Sequence, residues 1–256
     1  MLRPNQILPV FAVCLLPFIC ASSSFAAITH RYSFNDPAAP GKDSVGNVDA
    51  KLKGPDAKVA DGKLTLKNED KNSDDPQLSY AKFDEPIIPK TGSASIAVWF
   101  TAKDAGQYAR IFNFSDKDGS EGRAFIYFTP RTSTDESRGA ITATDAASKT
   151  AIDNPSLDDG KPHMVAIVID GVSKKLHVYI DGTEPKPAQD LGDNTLDKVK
   201  PTNNWLGRSS FDQDAGLTGS IDELRTYDHA LTADEVSESF KSGADTLPPS
   251  AAAPKP

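Results

Sequence analysis

The sequence predicts an all-β protein, an antiparallel sandwich or barrel with one short C-terminal helix. Three observations carry that expectation. Apolar residues alternate with polar or small ones over many short runs. Turn pairs such as Asp61-Gly62, Thr91-Gly92, Asp118-Gly119 and Asp159-Gly160 break those runs at short intervals. Helical periodicity is nearly absent. With 38% hydrophobic and 25% charged residues in 256, the chain has enough apolar material for a real core.

Taken in order, the first strand is Ile28–Phe34, where Ile28, His30, Tyr32 and Phe34 share one face and Thr29, Arg31 and Ser33 the other. Short strands are expected at Lys63–Leu66 and Leu78–Phe83. In Ser95–Thr101, Ile96, Val98 and Phe100 oppose Ala97, Trp99 and Thr101. After a short strand at Ala109–Phe114, Arg123–Thr129 sets Ala124, Ile126 and Phe128 against Phe125 and Tyr127. Ala140–Ala143 and Asn204–Gly207 are further candidates, and Asp70–Pro76 and Thr132–Ser137 read as polar loops. The clearest hairpin joins Met164–Asp170 to Leu176–Asp181 through Gly171–Lys175. Each of its strands ends in Asp-Gly, which supplies the positive φ that tight turns need. Thr232-Ala233-Asp234-Glu235 is a capping box that opens a helix reaching about Lys241 and stopping near Gly243.

The chain ends read differently. Residues 1–26 form a signal peptide: Arg3 supplies the charge, Ile7–Ala21 the apolar run and Ser24-Phe25-Ala26 the cleavage site. That run is shorter than the ~20 residues of a spanning helix and contains Pro17, which argues against a retained anchor. Both cysteines, Cys14 and Cys20, lie in the segment to be removed, so the mature protein has neither thiol nor disulfide. The expected location is outside the cytoplasm: secreted, periplasmic or cell-surface, and not integral to a membrane after cleavage. One domain spans 28–243, followed by a disordered, Pro/Ala-rich tail at 244–256. The net charge of -8 repels phosphate backbones and disfavours nucleic acid as a partner.

Trp205-Leu206-Gly207-Arg208-Ser209, Leu217–Ser220 and the run Ile221-Asp222-Glu223-Leu224-Arg225-Thr226-Tyr227 through Ala230-Leu231-Thr232 form a recognisable block. It resembles the C-terminal signature of LamG-like domains in the concanavalin A-like lectin/glucanase superfamily. Val168–Gly182 looks like that family's central hairpin, and His30–Phe34 with Asp43-Ser44-Val45-Gly46 looks like its opening. The resemblance implies a two-sheet jelly-roll sandwich, non-catalytic in many members and often holding a structural Ca²⁺.

Catalytic chemistry finds little support. A retaining glycosidase needs two carboxyls about 5–5.5 Å apart, and the paired pattern of this fold's β-glucanases, close to E-x-D-x-x-E, does not occur. Asp222 and Glu223 are adjacent, so a strand turns them to opposite faces. His30, His163, His177 and His229 lack metal-ligand spacing, and there is no G-x-S-x-G elbow. No catalytic residue is expected, although a site assembled from scattered residues stays open. For calcium, Asp222 and Asp43 are the natural ligands if the terminal strands pair, with Asn35 and Asp36 able to add oxygens. The alternatives are a strand-end acid pairing with Arg225 or Arg208, and an ordinary turn acid at Asp43.

Sugar binding would use an aromatic platform with polar flanks. Trp99 and Trp205 are expected to pack. Tyr127 is better placed for exposure, beside Arg123, with Arg131 and Arg138 near in sequence to hydrogen-bond an acidic glycan; the alternative is a plain solvated face. Phe211, Asp212 and Asp214 in the loop Ser209–Gly216 could join a rim. The expected function is an exported, non-catalytic binding module for carbohydrate or a glycosylated surface. A structural or adhesion domain working through protein contacts is the alternative, and a glycan-active hydrolase or lyase ranks third.

Overall fold

The computed structural model describes residues 28–116 and 124–248. The expected signal peptide and the chain beyond Pro248 lie outside these residues, as does Arg123. In chain order the strands are β1 (Ile28–Tyr32), β2 (Ala50–Lys53), β3 (Lys58–Ala60), β4 (Lys63–Leu66), β5 (Tyr80–Phe83), β6 (Ala94–Lys103), β7 (Phe112–Ser115) and β8 (Phe125–Thr129). They continue with β9 (Glu136–Thr142), β10 (Thr150–Pro155), β11 (Asp159–Asp170), β12 (Lys175–Ile180), β13 (Gln189–Asp190), β14 (Asn203–Leu206) and β15 (Gly219–Tyr227), and α1 (Ala233–Ser242) follows.

The strands form two antiparallel sheets that face each other as a sandwich. One is eight-stranded, in the order β13-β12-β11-β6-β15-β4-β3, with β1 also pairing with β15. The other is seven-stranded, in the order β10-β9-β8-β7-β14-β5-β2. Alternation decides which side chains lie between them. Ile96, Val98 and Phe100 of β6 meet Ile126 and Phe128 of β8, together with Val165, Ile167 and Ile169 of β11, in one core. Each such side chain contributes roughly 1.5–3 kcal/mol through its removal from water. Gly139 of β9 permits the close approach of the sheets, because a Cβ there would lie 2.4 Å from Cδ1 of Ile167.

The opposite parity builds the outer faces. On the eight-stranded sheet Ala97, Trp99, Met164, Ala166 and Val168 turn outward and are covered by Leu231 and by Val236 of α1. Thr232 caps that helix with the expected capping box, and Gly243 ends it at φ +83°. On the seven-stranded sheet the outward parity is Phe125, Tyr127 and Ala140, edged by Ala146, Ala151 and Phe211. No helix covers this face among the described residues.

The tail departs from expectation in its first residues. Arg225 is fully buried, and it donates to the carbonyls of Gly243 (3.2 Å), Ala244 and Thr246 (3.1 Å). Arg31 reaches the Asp245 carbonyl at 3.0 Å. A buried guanidinium must find acceptors, and the segment after α1 provides them. The fold's contacts therefore continue past 243, through Thr246 and Leu247.

Candidate functional site

The open face of the seven-stranded sheet is built from one cross-strand row. Trp205 on β14 pairs with Asn113 on β7, Asn113 with Tyr127 on β8, Tyr127 with Ala140 on β9, and Ala140 with Ala151 on β10. The row falls from large side chains to alanines, so the floor drops beside Tyr127. Loops raise walls around the drop: Tyr108 and Arg110 before β7, Ala146 and Lys149 between β9 and β10, and Phe211 and Asp214 after β14. The hollow encloses about 200 Å³.

Arg110 is the centre of its polar side. It is 2% exposed, and its guanidinium carbon lies 3.7 Å above the Tyr127 ring centroid. Nη2 donates to Asp214 Oδ2 at 2.8 Å, while Nε and Nη1 are buried without a partner. Asp214 also accepts from the Ser209 hydroxyl at 2.6 Å. Burial pushes its carboxyl pKa up, against the opposing pull of Arg110 and Ser209. Arg138 gives Nε and Nη2 to Asp153 at 2.5 and 2.8 Å, and this bidentate pair raises its pKa further. Lys149 Nζ donates to the Ala146 carbonyl at 2.9 Å and has no carboxylate partner among the described residues.

The aromatic side has a strained member. Tyr108 sits at φ +60°, a left-handed conformation that costs a bulky residue on the order of 1 kcal/mol. Its N–H bond to the Arg131 carbonyl (2.9 Å) and its hydroxyl contact with Ser133 (3.1 Å) hold it there. Phe211 stands opposite, edge-on to Phe125 with centroids 5.9 Å apart. Farther along the row, Arg208 lies 4.3 Å over the Trp205 ring. Trp205 Nε1 and Asn113 Oδ1 are buried with no hydrogen-bond partner.

Of the residues expected from sequence, Tyr127 and Arg138 meet in this hollow, and so do Phe211 and Asp214 of the rim loop. Tyr127 is not the exposed platform expected of it. It is 3% exposed because Arg110 covers it, so it serves as floor while the half-buried Tyr108 and Phe211 form the walls. Arg131 stands apart, paired with Asp135 at 2.8 Å and Asp158 at 3.8 Å. Arg110, Tyr108 and Lys149 were not expected. Unbroken alternation through Ala109–Phe114 would turn Arg110 inward with Phe112 and Phe114, but β7 begins only at Phe112. A lone arginine within Ala109-Arg110-Ile111-Phe112 was the signal available, since a charge in such a run needs a partner.

The expected calcium ligands have other work. Asp43 is 2% exposed; Oδ1 accepts from the N–H groups of Arg31, Val45 and Gly46, and Oδ2 from that of Val48. Oδ2 also lies 2.7 Å from His30 Nδ1. A carboxylate so filled with donors has no lone pair left for a cation. Asp222 instead pairs with Lys63 at 3.2 Å. These residues do not fit an oxygen-ligated ion, and no group of three or more His, Cys, Asp or Glu among the described residues could hold a metal. Glu223 bonds to Arg225 and to Arg31, the former being one of the pairings open to this strand-end acid pair.

Comparison with known proteins agrees with this architecture. The family model Laminin_G_3, described as the concanavalin A-like lectin/glucanases superfamily, matches residues 75–237. Among solved structures, domain 4 of AbnA, an extracellular GH43 arabinanase of Geobacillus stearothermophilus, in complex with arabinotriose, superposes with a TM-score of 0.56. It is 19% identical, over 83% of this chain and 98% of that one. A structure described as showing that cell entry of botulinum neurotoxin type C depends on interaction with two ganglioside molecules gives a TM-score of 0.61 at 12% identity, over 85% of this chain. The binding domain of botulinum neurotoxin DC with rat synaptotagmin II gives 0.60 at 12%, over 84% of this chain. This chain spans 51% of each of the two toxin chains. At these identities the likeness is one of fold. No curated protein matches the chain.

Proposed function

This chain belongs to the concanavalin A-like lectin/glucanases superfamily, and from that premise we propose that it is an exported, non-catalytic module that binds carbohydrate on the open face of its seven-stranded sheet. The observation that carries this reading is the hollow itself. Tyr108 and Phe211 wall a floor of Tyr127 and Phe125, and Arg110, Arg138, Lys149 and Asp214 ring it with donors and one acceptor. A pyranose has that pairing of surfaces: an apolar face for an aromatic ring and hydroxyls for polar side chains. Bonds to the Arg131 carbonyl and Ser133 hold Tyr108 at φ +60° and so fix its ring as a wall of the hollow.

Asp214 is the one carboxylate among the described lining residues, and it is engaged by Arg110 and Ser209. Glycoside hydrolysis by the usual route needs a second, so binding suits the hollow better than cleavage. Solved structures of this fold include one holding arabinotriose and one described with gangliosides. They share the fold alone, and the assignment of a sugar rests on the hollow. Affinity electrophoresis of the purified chain through gels containing single polysaccharides tests the proposal. Retardation by at least one polymer, abolished by Phe211→Ala, is expected. Free migration through every gel would turn the reading toward a module working through protein contacts.

A further inference from the structure

We infer that the hollow selects an acidic sugar, one bearing a carboxylate, and that Lys149 and Arg110 receive that group. The inference rests on the saccharide reading and adds a charge requirement to it. The chain has 28 basic and 36 acidic side chains, yet the lining of this hollow reverses the balance. Arg110, Arg138 and Lys149 face it, against Asp214 alone. Cations gathered on an otherwise acidic protein need a local reason.

The charges are not equally spent. Arg138 is matched by Asp153 through two bonds. Arg110 gives one N–H to Asp214 and leaves Nε and Nη1 unmet, although its side chain is only 3% exposed. A guanidinium held this deeply with donors unmet is set for an acceptor that arrives from outside. Lys149 has spent one N–H on the Ala146 carbonyl, and an ammonium carries three. Its place is fixed as well. The preceding turn is capped by Asp145, which accepts from the Ser148 N–H at 2.9 Å, and Asn194 donates to the Ser148 carbonyl at 2.9 Å.

A neutral sugar would accept hydrogen bonds from these cations through its hydroxyls but would bring no opposite charge to pair with them. A carboxylate satisfies both needs at once, since charge-assisted hydrogen bonds are roughly twice as strong as neutral ones. The hollow, about 200 Å³ and open to solvent, has room for a single ring against its walls. The ligand class is therefore a uronate or similar acidic unit.

The test is calorimetric titration of the purified chain with oligosaccharides of polygalacturonate, alginate and hyaluronan. Each is measured beside its carboxyl-reduced counterpart, which keeps the linkages and loses the charge. The expected result is that at least one acidic series binds about tenfold or more tighter than its reduced form, a gap that narrows as salt is added. Lys149→Gln should close most of that gap without moving the melting temperature. Equal binding of an acid and its reduced form, or binding of neutral polymers alone, would overturn the charge requirement and leave the saccharide site standing. Failure of every acidic and neutral ligand, with no retardation in any gel, would remove both readings.

Discussion

Arg110 sits over the ring of Tyr127, its guanidinium carbon 3.7 Å from the ring centroid, while its Nη2 holds Asp214 at 2.8 Å. The contact joins the segment before β7, the middle of β8 and the loop after β14, so one side chain keeps the floor and two walls of the hollow in register. Arg110→Ala would leave the largely buried Asp214 without its cationic partner, at a cost of about 3 kcal/mol. For a domain of this size that is a fall of roughly 6–12 °C in melting temperature. The Arg110→Ala/Asp214→Ala double variant should recover most of the loss, because neither charge then stays behind. A thermal double-mutant cycle measures the coupling; additive losses would mean the pair is not a unit.

Asp214 and the buried Asp43 should respond to pH in opposite senses. Burial raises the Asp214 pKa, so its contribution to stability is fully present below the unfolded value of about 3.9 and lost as pH rises through its folded pKa. Burial also presses on Asp43, but the His30 contact and the N–H groups of Arg31, Gly46 and Val48 outweigh it and lower the pKa. Its contribution is present above about 3.9 and lost as pH falls through the folded value. Melting curves from pH 7 to 3 should show the wild type gaining on Asp214→Asn and losing to Asp43→Asn. Parallel trends for the two variants would contradict this assignment.

Asp43 is read as the organiser of residues 43–48, and its removal should act without any metal. Asp43→Ala orphans four backbone N–H groups and the His30 bond. At about 2–3 kcal/mol the melting temperature should drop by roughly 4–12 °C. Chelator should leave the wild-type midpoint unchanged. A fall under chelation that calcium restores would reinstate the ion.

Glu223 ties the C-terminal segment to the sheet. It is fully buried between Arg225 and Arg31, whose other bonds reach the carbonyls of residues 243–246. Glu223→Ala leaves two guanidinium groups unmatched, an expected loss of about 3–5 kcal/mol. Amide exchange should accelerate first in the segment around Ala244–Thr246. Unchanged protection there would mean that the segment is held by Leu247 and its apolar neighbours and not by the arginines.

The two-sheet sandwich was legible because its central strands carry the signal. β6, β8, β11 and β12 bury one or both faces, so Ile96-Val98-Phe100 and Ile126-Phe128 alternate as a sheet requires. The strands that went unread, β2, β3, β10 and β13, lie at or next to sheet edges. Lys51 and Lys53 in β2, Asp153 and Pro155 in β10, and the exposed pair of β13 are edge chemistry, which discourages pairing with another chain and erases the alternation. At the site, Tyr127 and Phe125 followed from parity, Arg138 from its proximity in sequence, and Phe211 and Asp214 from the polar loop after the Trp205 strand. Arg110 did not, because the chain breaks its alternation just before β7, and Lys149 lies on a loop whose path no local pattern predicts.

The central claim, that ligand lies on the open face of the seven-stranded sheet, is tested most directly by the two tryptophans, which report on opposite outer faces. Trp99 packs among the residues that α1 covers, while Trp205 shares its cross-strand row with Tyr127. Their indole N–H resonances can be followed while a retarding oligosaccharide is added. The Trp205 signal should move, the Trp99 signal should stay, and Phe211→Ala should suppress the shift. A ligand that binds while moving the Trp99 signal alone would place the site on the other sheet and contradict the claim.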